Sequence, residues 1–295
     1  MNNVIECKNL THYYGNKLVY ENLNFNVREG SILGLLGKNG AGKTTTINIL
    51  HGFLQPREGE CLIYGENTQN LSPHTKSRIG FLIEGHVQYA FMDIHQIEKF
   101  YSGFYPNWNK EPYWELMSKL KVSPNQKIST MSCGQRSQVA LGLILAQEPD
   151  LLILDDFSMG LDPGYRRLFI DYLRTYAKAE NKTIFATSHI VQDMERLIDD
   201  VLVMDYNRVL AHSPIDKFMT GFKQFRFKTK IEIAGLKNEA FVVNLEKAKN
   251  EVELYTYESE DFVKDFLNKN GIQFENFSLV PMGLEDAFIG LTGKY

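Results

Sequence analysis

Gly37-Lys38-Asn39-Gly40-Ala41-Gly42-Lys43-Thr44 satisfies the phosphate-binding pattern G-x-x-x-x-G-K-[ST] at every fixed position. Its flanks supply the context that pattern requires. Upstream, Ser31-Ile32-Leu33-Gly34-Leu35-Leu36 is an apolar run of buried-strand length; downstream, Thr44 to Leu50 holds no Gly or Pro and can run as a helix. In a strand, loop, helix arrangement the glycines let successive backbone N–H groups turn toward one anion. The helix N-terminus adds its positive dipole end, Lys43 reaches the terminal phosphates and the Thr44 hydroxyl faces Mg²⁺. The stretch therefore reads as a nucleoside triphosphate site. A glycine-rich turn with a chance lysine would give the same string in about one chain in a hundred at average residue usage. The motifs that follow make that reading poorer.

The rest of the chain bounds the answer. At 295 residues it is long for one domain and natural for two, and 43% hydrophobic with 23% charged residues is an ordinary globular composition. A net charge of -4 gives no basic footprint, so no nucleic acid partner is expected. The cysteines Cys7, Cys61 and Cys133 are odd in number and share no C-x-x-C spacing, and residues 1 to 20 lack the apolar core of a signal peptide. Both point to a reducing cytosol. The longest apolar runs, Val139 to Ala146 and Leu151 to Leu154, are far shorter than the ~20 residues that span a bilayer.

Taken in order, Val4 to Cys7 and Leu23 to Val27 read as strands joined through the loop Tyr13-Tyr14-Gly15-Asn16. Tyr14 either stacks on an adenine ring or covers a sheet edge; its place ahead of a phosphate loop favours stacking. Glu60 to Tyr64 and Ile79 to Ile83 read as further strands, the second ending at Glu84, a carboxylate that faces Mg²⁺ or water or is a solvated loop acid. Nine of the thirty residues from 86 to 115 are aromatic, against 12% in the whole chain. That density marks a separate helical unit. Asp93 and Gln96 have capping-box spacing, with Ile94, Ile97, Tyr101 and Phe104 on one helical face and Tyr113, Leu116, Met117 and Leu120 on another. The aromatics either fill that unit's own core or leave a face for a partner.

Ser132 of Met131-Ser132-Cys133-Gly134-Gln135 is placed to cap a helix carrying Val139, Leu143 and Ala146, and a helix starting with small residues is a second anion site or an ordinary cap. Leu151-Leu152-Ile153-Leu154 has the pattern of a parallel strand buried on both faces, and Asp155 and Asp156 then fall where open α/β sheets place ligands. Asp162-Pro163 starts a helix with Leu168, Phe169, Tyr172 and Tyr176 as its buried stripe. Thr183 to Thr187 is the next strand, with His189 just beyond it, either structural or set to touch a terminal phosphate. Val201 to Asp205 and Val209 to Ala211 pair as a hairpin. From about Gly221 the pattern becomes α+β, with strands at Phe222 to Ile233, Ala240 to Leu245, Glu251 to Tyr257 and Ile272 to Leu279. Helices are expected at Glu260 to Leu267 and Leu284 to Leu291, and no catalytic constellation is visible there.

These residues together resemble the ATPase subunit of ATP-binding cassette (ABC) transporters, over roughly residues 1 to 215 and in the order that family requires. Tyr14 matches the adenine-stacking tyrosine and Gly37 to Thr45 the Walker A loop, with Asn39, Gly40, Ala41, Gly42, Lys43, Thr44 and Thr45 as its nucleotide-binding residues. Glu84 holds the position of the Q-loop glutamine; Ser132, Gly134 and Gln135 match the LSGGQ signature; Asp155 matches the Walker B aspartate. Asp156 stands where the general-base glutamate is usual, Gly160-Leu161-Asp162 matches the D-loop and His189 the switch histidine.

The resemblance implies an α/β P-loop ABC ATPase core with antiparallel β and helical subdomains, the latter at about 86–148, plus a small C-terminal α+β domain at 220–295. It implies ATP and Mg²⁺, the metal held by Thr44, Asp155 and Glu84, with Asp156, His189 and Glu84 as the catalytic set. It implies a head-to-tail, ATP-dependent homodimer or heterodimer with another ABC ATPase, bound to an integral membrane transporter subunit on the cytoplasmic face of the cell membrane. Leu284-Glu285-Asp286-Ala287-Phe288 looks like the ending of drug and peptide exporter ATPases. The wording from Asp155 to Asp162 is similar to exporters of amphipathic peptides such as phenol-soluble modulins. Glu84, Cys133, Asp156 and Phe157 depart from the usual Gln, Gly, Glu and Pro, and the aspartate at the base position implies slow hydrolysis.

Two other classes compete. A P-loop kinase or nucleotide switch is opposed by the signature stretch and by the absence of N-K-x-D. A soluble ABC-type regulatory ATPase without a membrane partner usually carries two cassettes or a long coiled coil between motifs, and only about 85 residues separate loop from signature here.

Overall fold

The computed structural model of the chain describes residues 2–82, 89–119, 123–158 and 160–293. Two compact units follow one another, Met1–Val209 and Leu210–Tyr295.

The first unit opens with a hairpin, β1 (Asn3–Tyr14) and β2 (Lys17–Arg28), turned at Gly15-Asn16 with Gly15 at φ 61°. The strand thus carries Tyr13 and Tyr14, which the sequence pattern puts in the loop, and runs on well past Cys7, where the expected strand ends. β3 (Ile32–Gly37) runs into the phosphate loop and α1 (Lys43–Leu50). Then come β4 (Glu58–Ile63), β5 (Glu66–Asn67), α2 (Pro73–Ser77) and β6 (Ile79–Leu82). Three helices follow, α3 (Ile94–Ser102), α4 (Lys110–Lys119) and α5 (Cys133–Leu145). Strand and helix then alternate through β7 (Leu151–Leu154), α6 (Pro163–Ala179), β8 (Thr183–Thr187), α7 (Val191–Leu197) and β9 (Asp200–Asp205), and β10 (Arg208–Pro214) begins at the unit boundary.

Two sheets result. One is antiparallel in the order β2-β1-β4-β5; the other has the order β10-β9-β3-β8-β7-β6 and is parallel from β9 to β6. Every side chain of Leu151–Leu154 is fully buried, as a strand covered on both faces requires. Phe25 of β2 stacks on Phe185 of β8 with ring centroids 5.7 Å apart, joining the cores of the two sheets. Parallel register pairs Leu82 with Leu154, Leu154 with Ala186 and Leu35 with Thr187. The carboxyl ends of β3, β7 and β8 therefore lie side by side, and the residues after them form one rim.

The α3 start is the capping box expected: the Asp93 carboxylate accepts from the N–H groups of His95 and Gln96, and Gln96 Oε1 accepts from Asp93 N–H. Tyr113 of α4 is fully buried and donates its hydroxyl to Ile94 O at 2.7 Å. Several members of the expected stripes are not buried: Tyr172 and Tyr176 of α6 are half-buried, the residues that helix buries being Phe169, Ile170, Leu173 and Ala177. Phe104 lies beyond the end of α3 and is 66% exposed, and Leu168 of α6 is exposed while Phe169 beside it is buried. Leu120 lies outside the described residues. The odd cysteine count gave no sign of pairing, yet antiparallel register sets Cys7 of β1 opposite Cys61 of β4 at 4.3 Å between Cα atoms, joined as a disulfide. Cys133 is free and exposed.

The second unit holds α8 (Ile215–Gly221), β11 (Lys223–Lys228), β12 (Asn244–Ala248), β13 (Glu251–Thr256), α9 (Glu260–Lys269), β14 (Glu275–Val280) and α10 (Leu284–Thr292). Its antiparallel sheet has the order β12-β13-β11-β14 and packs Phe225, Phe227, Val252 and Leu254 against Val263 and Leu267 of α9. Several strand bounds differ from the sequence pattern, the last strand beginning at Glu275 rather than Ile272. The first strand stops at Lys228, after which the Thr229 hydroxyl accepts from Ile231 N–H and donates to Gln273 O. The second starts at Asn244 rather than Ala240, because the turn at Lys249-Asn250, with Lys249 at φ 57°, fixes its register on β13.

Gly80 of β6 faces α5 and the segment after it, where a Cβ would meet Ile144 Cγ2 at 2.5 Å and Pro149 Cγ at 3.0 Å. Gly80→Ala is expected to lower the unfolding free energy by about 1–3 kcal/mol. Urea denaturation checks this as a lower midpoint at unchanged slope.

Candidate functional site

The phosphate loop closes on its own lysine. Gly40 and Gly42 take φ 84° and 100°, the left-handed region that only glycine enters freely, and a Cβ on Gly42 would stand 2.7 Å from the Tyr20 ring. Thr46 Oγ1 donates to Gly42 O at 3.0 Å, tying the loop to the first turn of α1. Lys43 begins that helix and is 7% exposed; its Nζ donates to Gly37 O at 2.7 Å and Lys38 O at 3.3 Å. Burial pushes the Lys43 ammonium below its ordinary pKa, while the charges of Asp156 and Asp155 pull it back up. In front of the loop lies a cleft of about 240 Å³, lined by Tyr14, Val19, Asn39, Lys43, Thr44 and His189 among others. Tyr14 stands at its side, 52% exposed, with its ring edge-on to His12 and its hydroxyl 3.4 Å from Thr45 Oγ1. An exposed ring face at the rim of a polar cleft suits stacking on a flat base.

The rim formed by β7 and β8 carries the acids. Asp155 N–H donates to Leu82 O at 2.9 Å and so continues the ladder one step beyond β7. Asp156 turns away at φ 43°, a conformation aspartate tolerates better than most residues. Its Oδ2 lies 2.8 Å from His189 Nε2. The Thr187 hydroxyl donates to Asp155 Oδ1 at 2.6 Å and accepts from Asp156 N–H at 3.1 Å. Sequence reading assigned Thr187 only to a strand; the signal that would have found it is its position one residue past the pair Leu154 and Ala186, which needs the sheet register.

The signature residues form a different cluster. Ser132 caps α5 by accepting from Gln135 N–H, and Gln135 Oε1 accepts from Ser132 N–H in return. Asp162 caps α6 through Gly164 and Tyr165. Gly134 approaches Leu161, and Gly160, at φ 74°, leaves room for Cys133: a Cβ on Gly160 would stand 2.7 Å from Cys133 Sγ. None of these residues is among those lining the cleft. The chain therefore brings Tyr14, the loop, Asp155, Asp156 and His189 toward one place and leaves Ser132, Gly134, Gln135 and Asp162 for another surface. Glu84 lies outside the described residues.

The donor set suits ATP with Mg²⁺. A buried ammonium and a helix N-terminus suit a polyphosphate, and the exposed Tyr14 ring suits a base. Among the described residues no group of three or more His, Cys, Asp or Glu could hold a metal ion. Thr44, which lines the cleft, and Asp155, just beyond β7, are the residues that could hold a magnesium completed by phosphate and water.

A family model described as "ABC transporter" matches residues 20–158. The chain is 29% identical to the bacitracin transport ATP-binding protein BcrA of Bacillus licheniformis, over 99% of this chain and 98% of that protein. It is 30% identical to the Nod factor export ATP-binding protein I of Burkholderia orbicola (strain AU 1054), over 98% of this chain and 97% of that one. A solved ATP-binding subunit of an ABC transporter matches with a TM-score of 0.65 at 25% identity, over 74% of this chain and 92% of that chain.

Lys43 places a buried side-chain cation where phosphate charge must be met. Lys43→Ala is expected to weaken ATP binding by at least about 1.5–3 kcal/mol, the worth of a charged hydrogen bond, or over tenfold in Kd. Equilibrium titration with a fluorescent ATP analogue reads it.

Proposed function

The chain belongs to the ATP-binding proteins of ABC transporters, and we propose that the ATP it hydrolyses drives export of amphipathic peptides or drugs through a separate membrane subunit. The observation that carries this reading is the extent of the match: similarity to the bacitracin and Nod factor export proteins runs through the second unit as well as the cassette. The wording of Asp155 to Asp162 supports the amphipathic-peptide cargo. Among the described residues no helix is long and apolar enough to cross a membrane. On this reading the path for cargo belongs to a partner, and the chain sits on the inner face of the membrane.

In the proposed cycle Tyr14 stacks on adenine, the loop and Lys43 hold the phosphates, and Mg²⁺, held by Thr44 and Asp155, supplies charge neutralisation to them. Glu84 joins that set on the strength of its position in the sequence alone. The signature cluster of Ser132, Gly134 and Gln135, with Asp162, lies away from this chain's own cleft. Its place supports a head-to-tail pair in which each copy, or an allied ATPase, closes the other's site. Asp156 takes the proton of the attacking water and His189, 2.8 Å from it, orients that carboxylate and the terminal phosphate.

Aspartate is one methylene shorter than glutamate, which withdraws its oxygens by about one C–C bond, ~1.5 Å. Misplacement of about 1 Å can cost on the order of a hundredfold in rate. Slow basal hydrolysis that still depends on Asp156 follows. Single-turnover assays are expected to show Asp156→Asn nearly inactive and Asp156→Glu equal to or faster than wild type; an Asp156→Asn variant as fast as wild type would place the base elsewhere.

The partner surface is assigned to a chain of rings between β6 and α4. Tyr89 meets Phe91 and Phe100, and Phe100 meets Phe104, at centroid distances of 6.3, 4.9 and 5.1 Å. Phe91 and Phe104 are 65% and 66% exposed. Trp108, by contrast, is held by its Nε1–H on Glu98 at 2.7 Å and belongs to the subdomain's own packing. Phe91→Ala with Phe104→Ala is expected to release the membrane subunit at a cost of ~2 kcal/mol or more in binding, with ATP affinity unchanged. Co-purification from detergent-solubilised membranes, beside nucleotide titration, measures both.

A further inference from the structure

Thr187 occupies a position that none of the motifs assigns. Its side chain is fully buried, and its single hydroxyl makes two contacts of long sequence separation. It donates to Asp155 Oδ1 at 2.6 Å and accepts from Asp156 N–H at 3.1 Å. Both follow from the sheet. β7 and β8 run parallel with Leu154 opposite Ala186, so the next residue on each strand, Asp155 and Thr187, meet across the pair.

The two contacts act on different things. A carboxylate turns readily about its last torsion, and a short hydrogen bond to an ionised oxygen is the strong, charge-assisted kind. Donation from Thr187 therefore fixes the plane of the Asp155 carboxylate. Accepting from Asp156 N–H fixes instead the backbone at the point where the chain leaves the strand at φ 43°. For an aspartate this second effect matters more than it would for a glutamate. With one side-chain torsion fewer, the place its oxygens reach is set more directly by its backbone.

We propose that Thr187 is a positioning residue for ATP hydrolysis, one hydroxyl that holds the metal-facing carboxylate of Asp155 and the backbone of the base Asp156 in a fixed mutual geometry. The proposal rests on the roles given above to Asp155 and Asp156. Hydrogen-bond partners of metal ligands commonly contribute 10- to 100-fold in metal affinity or activity, so the effect is large enough to measure.

Thr187→Val keeps the β-branched shape and removes the hydroxyl, and Thr187→Ser keeps the hydroxyl. In the full-length protein, with Mn²⁺ as the probe metal, Thr187→Val is expected to lower single-turnover hydrolysis by about 10- to 100-fold and Mn²⁺ affinity in the presence of ATP, read by electron paramagnetic resonance, by about tenfold. ATP affinity in EDTA should stay within about twofold, which a general loss of packing would not allow, and Thr187→Ser should recover both losses to within about threefold. Should Thr187→Val give no folded protein, Thr187→Cys, similar in size and only a weak donor, is read by the same criteria. Wild-type hydrolysis and Mn²⁺ affinity in the Val variant overturn the proposal, and so does a Ser variant as impaired as Val. If Asp156→Asn proves fully active, the base assignment fails by itself, and the Mn²⁺ measurement, which turns on Asp155 and not on Asp156, still decides the role of Thr187.

Discussion

Taking the Lys43 ammonium out of water costs several kcal/mol unless acceptors and opposing charge are fixed around it. The carbonyls of Gly37 and Lys38 supply the acceptors, and Asp155 and Asp156 supply the charge. Neither condition is local. The carbonyls need the loop to fold back over its own helix, which requires left-handed backbone at Gly40 and Gly42. The carboxylates come from a strand more than a hundred residues away and arrive only because β8 lies between β3 and β7 in parallel register. The sheet order is thus the condition for a buried cation, and the buried cation is what makes the loop a polyphosphate site.

What the sequence made legible were features with a local cause. The phosphate loop, the capping box at Asp93, the helix cap at Ser132, the Asp162-Pro163 helix start and the four-residue buried strand before Asp155 each follow from neighbouring residues. The features that escaped depend on pairing. Cys7 meets Cys61 across two strands, Thr187 meets Asp155 across two others, and the edge of β12 is set by a turn rather than by its apolar residues. Phe104 and Leu168 escaped for another reason. Helical spacing predicts which residues share a face but not where the helix stops or how wide a stripe its neighbours cover, and both residues fall at those margins.

The departures from the family pattern also have structural counterparts. Cys133 adds a side chain where the signature usually has glycine, and the room for it comes from Gly160, whose missing Cβ would otherwise press on the sulfur. Two motifs that are read separately in the sequence are therefore one packed contact. A change at either position alters the surface that both present, so signature and D-loop must be compatible in pairs.

Asp156 poses the same question at the chemistry. A glutamate reaches water with three side-chain torsions and can search for a productive position, whereas an aspartate with two is productive only if its backbone is already placed. In this chain the backbone is held by Thr187 and the carboxylate is met by His189 at 2.8 Å. On the role proposed for Asp156, a base so confined loses reach and gains a defined direction. Its distance to the attacking water then depends on how closely the opposite surface of a dimer presses on the site. Hydrolysis would respond more steeply to closure of the pair than in a chain with glutamate, because the shorter side chain cannot make up a remaining gap by changing rotamer.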